Sequence, residues 1–217
     1  NALVANTSGD GNTAMGYLAL DACSTGDYNT AFGYQALTTS STAGNNVAFG
    51  SIALTANTTG YSNTAIGTDA LKANTTGLTN TAVGMRALDA NTTTNSNTAV
   101  GADALGACIA ASNTALGSDA LAATTTGAEN TAIGATAGDA ITTGDNNVLI
   151  GSGTSVSAVD GSAANVLGRS VSGEAGYTTV GSGSDDIRAL HGNINWATVS
   201  DERVKKDIED STAGLSF

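Results

Sequence analysis

Proline is absent from the 217 residues, and the chain is poor in aromatics (4%), in charge (12%) and above all in basic groups, with seven Lys and Arg against nineteen Asp and Glu. So few large side chains exclude a conventional globular core. Although 41% of the residues are apolar, most of that fraction is Ala, Val, Ile and Leu. Burying enough of it requires a thin, regular interior that is extended lengthwise or shared between copies.

The net charge of −12 repels phosphate backbones and anionic headgroups, so neither nucleic acid nor a membrane surface is an expected partner. No run of eighteen apolar residues is present, which excludes a membrane-inserted helix. Residues 1–10 lack the charged and apolar regions of a signal peptide, so any export signal or anchor is expected outside this chain. One His and two Cys without a Cys-x-x-Cys spacing leave no zinc site, and no metal or cofactor is expected.

What the chain has in abundance is a period of seventeen residues. Asn12-Thr-Ala-Met-Gly16 recurs from Asn29, Asn46, Asn63, Asn80, Asn97, Asn113, Asn130 and Asn147, and every step is seventeen except one of sixteen, from Asn97 to Asn113. Counting that Asn as position 1, each copy runs on through two variable residues to Ala-Leu at positions 8 and 9, then through a polar stretch such as Ala56-Asn-Thr-Thr-Gly60. Ala2, Leu3, Asn6, Thr7 and Gly9 fall on the same columns, as a truncated preceding repeat would.

Seventeen residues are too few for a helix pair and too rich in Gly, Thr and Asn for a helical solenoid. The predicted fold is all-β, a parallel β-solenoid or β-roll with two short strands and two turns per coil. Alternation along Asn-Thr-Ala-apolar-Gly sets Thr and the large apolar residue on one face, with Asn, Ala and Gly on the other; either face could be the core. Stacked coils would form an asparagine ladder along the axis, and the Gly column would mark positive φ or close backbone approach. Three regions are expected: 1–151 as repeat solenoid, 152–200 as a β-rich transition or tip segment with the degenerate echoes Asn165-Val-Leu-Gly168 and Tyr177-Thr-Thr-Val-Gly181, and 201–217.

The apolar-Gly beat resembles the heads of trimeric autotransporter adhesins, in which such repeats build β-rolls packed three together. Ser200-Asp201-Glu202-Arg203-Val204-Lys205-Lys206-Asp207-Ile208 resembles the start of the endosialidase-type intramolecular chaperone found at the end of bacteriophage tail fibres and tailspikes. That resemblance implies assembly as a homotrimeric fibre, with two further copies of the chain as partners. It also implies single-turnover self-cleavage at Ser200–Asp201 when the chaperone is complete, with Ser200 as nucleophile and Lys205 activating it. An amphipathic surface helix over about 201–210 is the plainer alternative. No multiple-turnover enzyme is expected: His191, Ser200 and Asp185 or Asp186 lie in a Gly-rich strand region without a nucleophile elbow. Turns at Asp27-Tyr28-Asn29 and Asp145-Asn146-Asn147 lack the nonapeptide of calcium-binding rolls.

The variable columns are the candidate contact residues, Tyr17, Tyr34, Tyr28, Tyr61 and Arg86, since exposed aromatics suit sugar stacking; ordinary edge residues of a spacer are the other reading. Cys23 and Cys108 both occupy position 12, about 24 Å apart at 4.8 Å per coil, so they are either buried thiols or partners of cysteines in another copy. The expected role is the structural and receptor-binding part of a virion tail fibre that attaches to a host surface polysaccharide or surface protein. Alternatives are a trimeric adhesin on the bacterial cell surface and a glycan-degrading tailspike.

Overall fold

The computed structural model describes residues 1–192 and the backbone of the strand Ala197–Thr198. Each coil supplies one strand of three residues: β1 (Thr13–Met15), β2 (Thr30–Phe32), β3 (Val47–Phe49), β4 (Thr64–Ile66), β5 (Thr81–Val83), β6 (Thr98–Val100), β7 (Thr114–Leu116), β8 (Thr131–Ile133) and β9 (Val148–Ile150). They pair parallel and in register, Thr64 against Thr81 and Ala65 against Ala82, and so on from coil to coil. The sixteen-residue step keeps this register, Thr98 facing Thr114. The missing residue is absorbed in the corner after Cys108, whose thiol donates to a carbonyl two residues on, at Ala110, where Cys23 reaches three residues on to Gly26.

The expected parallel β-solenoid is therefore observed, with a correction to the coil: it contains one strand, not two. The Ala-Leu half is made of turns that stack through backbone hydrogen bonds, as from the Leu37 amide to the Ala53 carbonyl (2.9 Å) and from the Leu71 amide to the Ala87 carbonyl (3.0 Å). The cause is the backbone of Leu at position 9, which sits in the left-handed region in every copy, from Leu20 (φ 51°) to Leu121 (φ 53°). A non-glycine residue there costs about 1–2 kcal/mol. Full burial of the Leu side chain returns roughly 2–3 kcal/mol, because each one is sealed in the core. The coil from Asn130 places Gly138 at this position, at φ 67°.

The core is thin. Ala at positions 3 and 8, Leu at 9, Asn at 1 and the residue at 12 all have no exposed surface through the middle coils. Thus the Asn–Ala face of the strand points inward, and Thr with the large apolar residue points outward. With position 3 filled by Ala beneath the Leu column, a three-residue strand can only turn its first and third side chains out.

Past Gly151 the same sheet continues through β11 (Asn165–Arg169) and β13 (Tyr177–Ser182), both parallel to their predecessors. A second, two-stranded parallel sheet forms from β10 (Ser155–Val156) and β12 (Ser172–Gly173). Asn165 pairs with Val148, so Ala164 and not Asn165 occupies the ladder column. The stack ends where β14 (Asp185–Leu190) folds back antiparallel on β13, with β15 (Ala197–Thr198) beside it. No helix occurs among the described residues.

Candidate functional site

The asparagine column is continuous. In each step the backbone amide of one Asn donates to Oδ1 of the preceding one, as from Asn63 to Asn46 (2.9 Å), and its Nδ2 reaches a carbonyl of the coil ahead, as from Asn63 to Gly77 (2.8 Å). Asn12, Asn29, Asn46, Asn63, Asn80, Asn97, Asn113, Asn130 and Asn147 form one such run, which closes when the Ala164 amide donates to Asn147 Oδ1 (2.9 Å). These amides spend their hydrogen-bonding capacity inside the rod, so they are structural and present nothing to a ligand.

A second ladder at position 12 was missed, although its signal, Asn57, Asn74 and Asn91 at spacings of seventeen, stands in the sequence. Asn74 donates to Asn57 Oδ1 (2.9 Å) and Asn91 to Asn74 Oδ1 (3.0 Å). Cys23 and Cys108 occupy this same buried column and are free thiols. Their sealing excludes the interchain disulfide left open above. Burial pushes both thiols above their ordinary range, because a thiolate would be stripped of its hydration there.

The outward side of the sheet carries a row of large apolar side chains, one per coil: Met15, Phe32, Phe49, Ile66, Val83, Val100, Leu116, Ile133, Ile150 and Leu167. Phe49 is 52% and Ile133 37% exposed, while Val83 and Val100 are half-buried. Phe32 and Phe49 stack with centroids 4.8 Å apart. The row runs on through Val180 to its cross-strand partner Ile187. On one flank lie the position 2 residues, seven Thr and two Val over β1 to β9; on the other lies position 6, from Tyr17 and Tyr34 to Ser152. None of these three columns carries a charge in the nine coils from Asn12 to Ser152.

The candidate contact residues are exposed but not gathered. Tyr17 and Tyr34 follow the ends of β1 and β2 and stack on each other at 5.5 Å, which turns ring faces together and leaves edges and hydroxyls outward. Tyr28 and Tyr61 precede their strands, at the opposite margin of the sheet. Arg86 stands in the position 7 column and is tied along the axis to Asp103 (2.7 Å), which holds its guanidinium charge more firmly still; Lys72 is likewise tied to Asp89 (3.1 Å). Arg86, Asp89 and Asp103 border an open hollow of about 380 Å³ lined also by Asp119, Gly106 and Ala122. The hollow exists because Gly106 and Ala122 put no long side chain where Asp89 stands one coil earlier.

His191 lies within 3.2 Å of Thr178 and 3.3 Å of Asn165 through Nε2, in an exposed polar cluster. Asp186 is buried at the end of the rod, 3.6 Å from Arg188, which also pairs with Glu174 (2.9 Å). His191 and Asp186 thus belong to different surroundings. Ser200 and Lys205, with the whole chaperone-like segment, lie outside the described residues. Among the described residues no group of three His, Cys, Asp or Glu side chains converges on a metal position. Compared with protein-family models, curated proteins and solved structures, the chain matches none.

Proposed function

We propose that this chain is the shaft of a trimeric surface fibre, of the kind carried on a bacteriophage tail, that attaches to a polymer or protein of a host-cell surface. The observation that carries the reading is the rod itself. Eleven parallel strands in unbroken register build a stiff, extended body, and its interior is filled by hydrogen-bonded Asn with Ala and Leu. A body of this shape serves to span distance and to present side chains along its length. The number three comes from the chaperone-like signature at Ser200–Ile208.

Attachment would be made by the margins of the sheet, where Tyr28 and Tyr61 stand free, and by the end of the rod near His191. The test is retention of the labelled protein on a panel of bacterial cells and purified surface polysaccharides, with reducing-sugar release followed in parallel. Saturable retention without sugar release is the expected result. Release of reducing ends would move the reading to a tailspike, and no retention on any cell or polymer would leave a spacer only.

A further inference from the structure

We propose that the charge-free outward face of the sheet, centred on the apolar row from Met15 to Ile150 and ended one coil later by Arg169 at position 6, is the surface on which copies of this chain pack parallel and in register. The inference rests on the fibre reading for the number of copies but names a surface that the signature at the C-terminus does not.

Three observations select the occupant. Acidic residues outnumber basic ones nineteen to seven, yet the three columns of this face contain none of either sign through nine coils. The charges begin just outside it, with Asp69, Arg86, Asp103 and Asp119 beyond one margin and Asp10, Asp27, Glu129 and Asp145 beyond the other. An apolar centre with a charged rim is the layout of a protein interface. On a chain of −12, a strip cleared of charge is where like-charged copies can meet at least electrostatic cost.

Size and period complete the argument. Nine strands at about 4.8 Å and three columns at roughly 6.7 Å per strand repeat outline a strip near 43 by 15 Å, above the roughly 600 Å² per partner at the lower end of stable interfaces. A row that repeats one apolar group per coil is matched along its full length by a second row of the same period, and another copy of this chain has it. In a closed ring of three the rows run parallel and equal levels meet, so Phe32 and Phe49 of each copy cluster near one end and form the bulkiest anchor.

Single-cysteine crosslinking tests this directly, because the native Cys23 and Cys108 are sealed in the core and do not compete. Ile66→Cys and Ile133→Cys, each alone, are expected to give a disulfide-linked pair under mild oxidation, and Thr76→Cys, exposed at a distant corner, is not. Loss of both crosslinks, or equal yield from Thr76→Cys, overturns the proposal. A disulfide formed only between Phe49→Cys and Ile133→Cys chains in a mixture overturns the parallel arrangement. Val83→Glu is expected to weaken association at least about a hundredfold, since like charges would be brought together in a desolvated interface, with an unchanged circular dichroism spectrum. Unchanged sedimentation of Val83→Glu counts against the face. Crosslinking needs no host ligand, so failure to bind cells would sink the attachment reading and leave this one standing.

Discussion

Asn63 shows what a single residue contributes. Its Nδ2 satisfies the Gly77 carbonyl and its Oδ1 accepts from the Asn80 amide (3.0 Å). Asn63→Ala orphans both groups in a dry interior, at about 1–3 kcal/mol each. Urea unfolding should therefore show a loss of roughly 2–5 kcal/mol. Asn63→Asp should cost more, because it keeps the shape, loses the donor to Gly77 and adds a buried charge. Equal stability of the two variants would contradict the ladder as the source of the effect.

The two thiols make a second residue-scale prediction. Burial raises both from the ordinary value of 9.0, so the folded state holds their protons where the unfolded chain releases them. Their contribution is complete below about pH 9 and is lost as pH rises through the elevated folded values. The slope is at most about 1.4 kcal/mol per pH unit for each thiol. A Cys23→Ala/Cys108→Ala variant should lose less stability than the parent between pH 8 and pH 10, measured by urea midpoints, and native thiols should resist a soluble disulfide reagent until denaturant is added. The thiol column was readable as a shared register position; its burial was not, because position 12 can face either way until the turn geometry is known.

At the scale of the coil, the Gly at position 5 decides whether neighbouring turns can stack. Gly84 has φ 138°, and a Cβ there would overlap the carbonyl group of Gly101. Gly84→Ala should destabilise by more than about 3 kcal/mol, since strain and backbone overlap add. Gly176→Ala has φ 77° but open space around the added carbon, so it should cost only about 1 kcal/mol. Thermal unfolding of both variants checks the contrast, and similar losses would show that φ alone, not stacking, matters. The Gly column announced itself as a repeat. That one strand and not two forms per coil was hidden, because Ala-Leu followed by two variable residues has the composition of a strand, and only the left-handed Leu shows it to be a turn.

At the scale of the molecule, self-association and charge oppose each other. If copies pack through the apolar face, the melting temperature should rise with protein concentration. It should also rise when salt is increased from about 10 mM to 150 mM, as screening shortens from roughly 30 Å to 8 Å. Val83→Glu should abolish the concentration dependence. A melting temperature insensitive to both variables in the parent chain would argue for a solitary rod.

The amino-acid sequence by itself determined the period, the parallel stack and the Asn and Gly columns, because a repeat that recurs every seventeen residues aligns identical side chains whatever the coil's path, and buried amides in register have only each other and the neighbouring backbone to bond. Even the degenerate echoes after Gly151 were visible, though Asn165 misled by one position. The tertiary structure alone decided which face is inside. Alternation assigns Thr and the apolar residue to one side and Asn and Ala to the other, but the choice between them depends on the width of the interior. Leu at position 9, turned in by its left-handed backbone, leaves room opposite for nothing larger than Ala over most of the rod. The large side chains that a composition-based reading would bury are left on the outside, and the outward row that results is the feature from which assembly is argued.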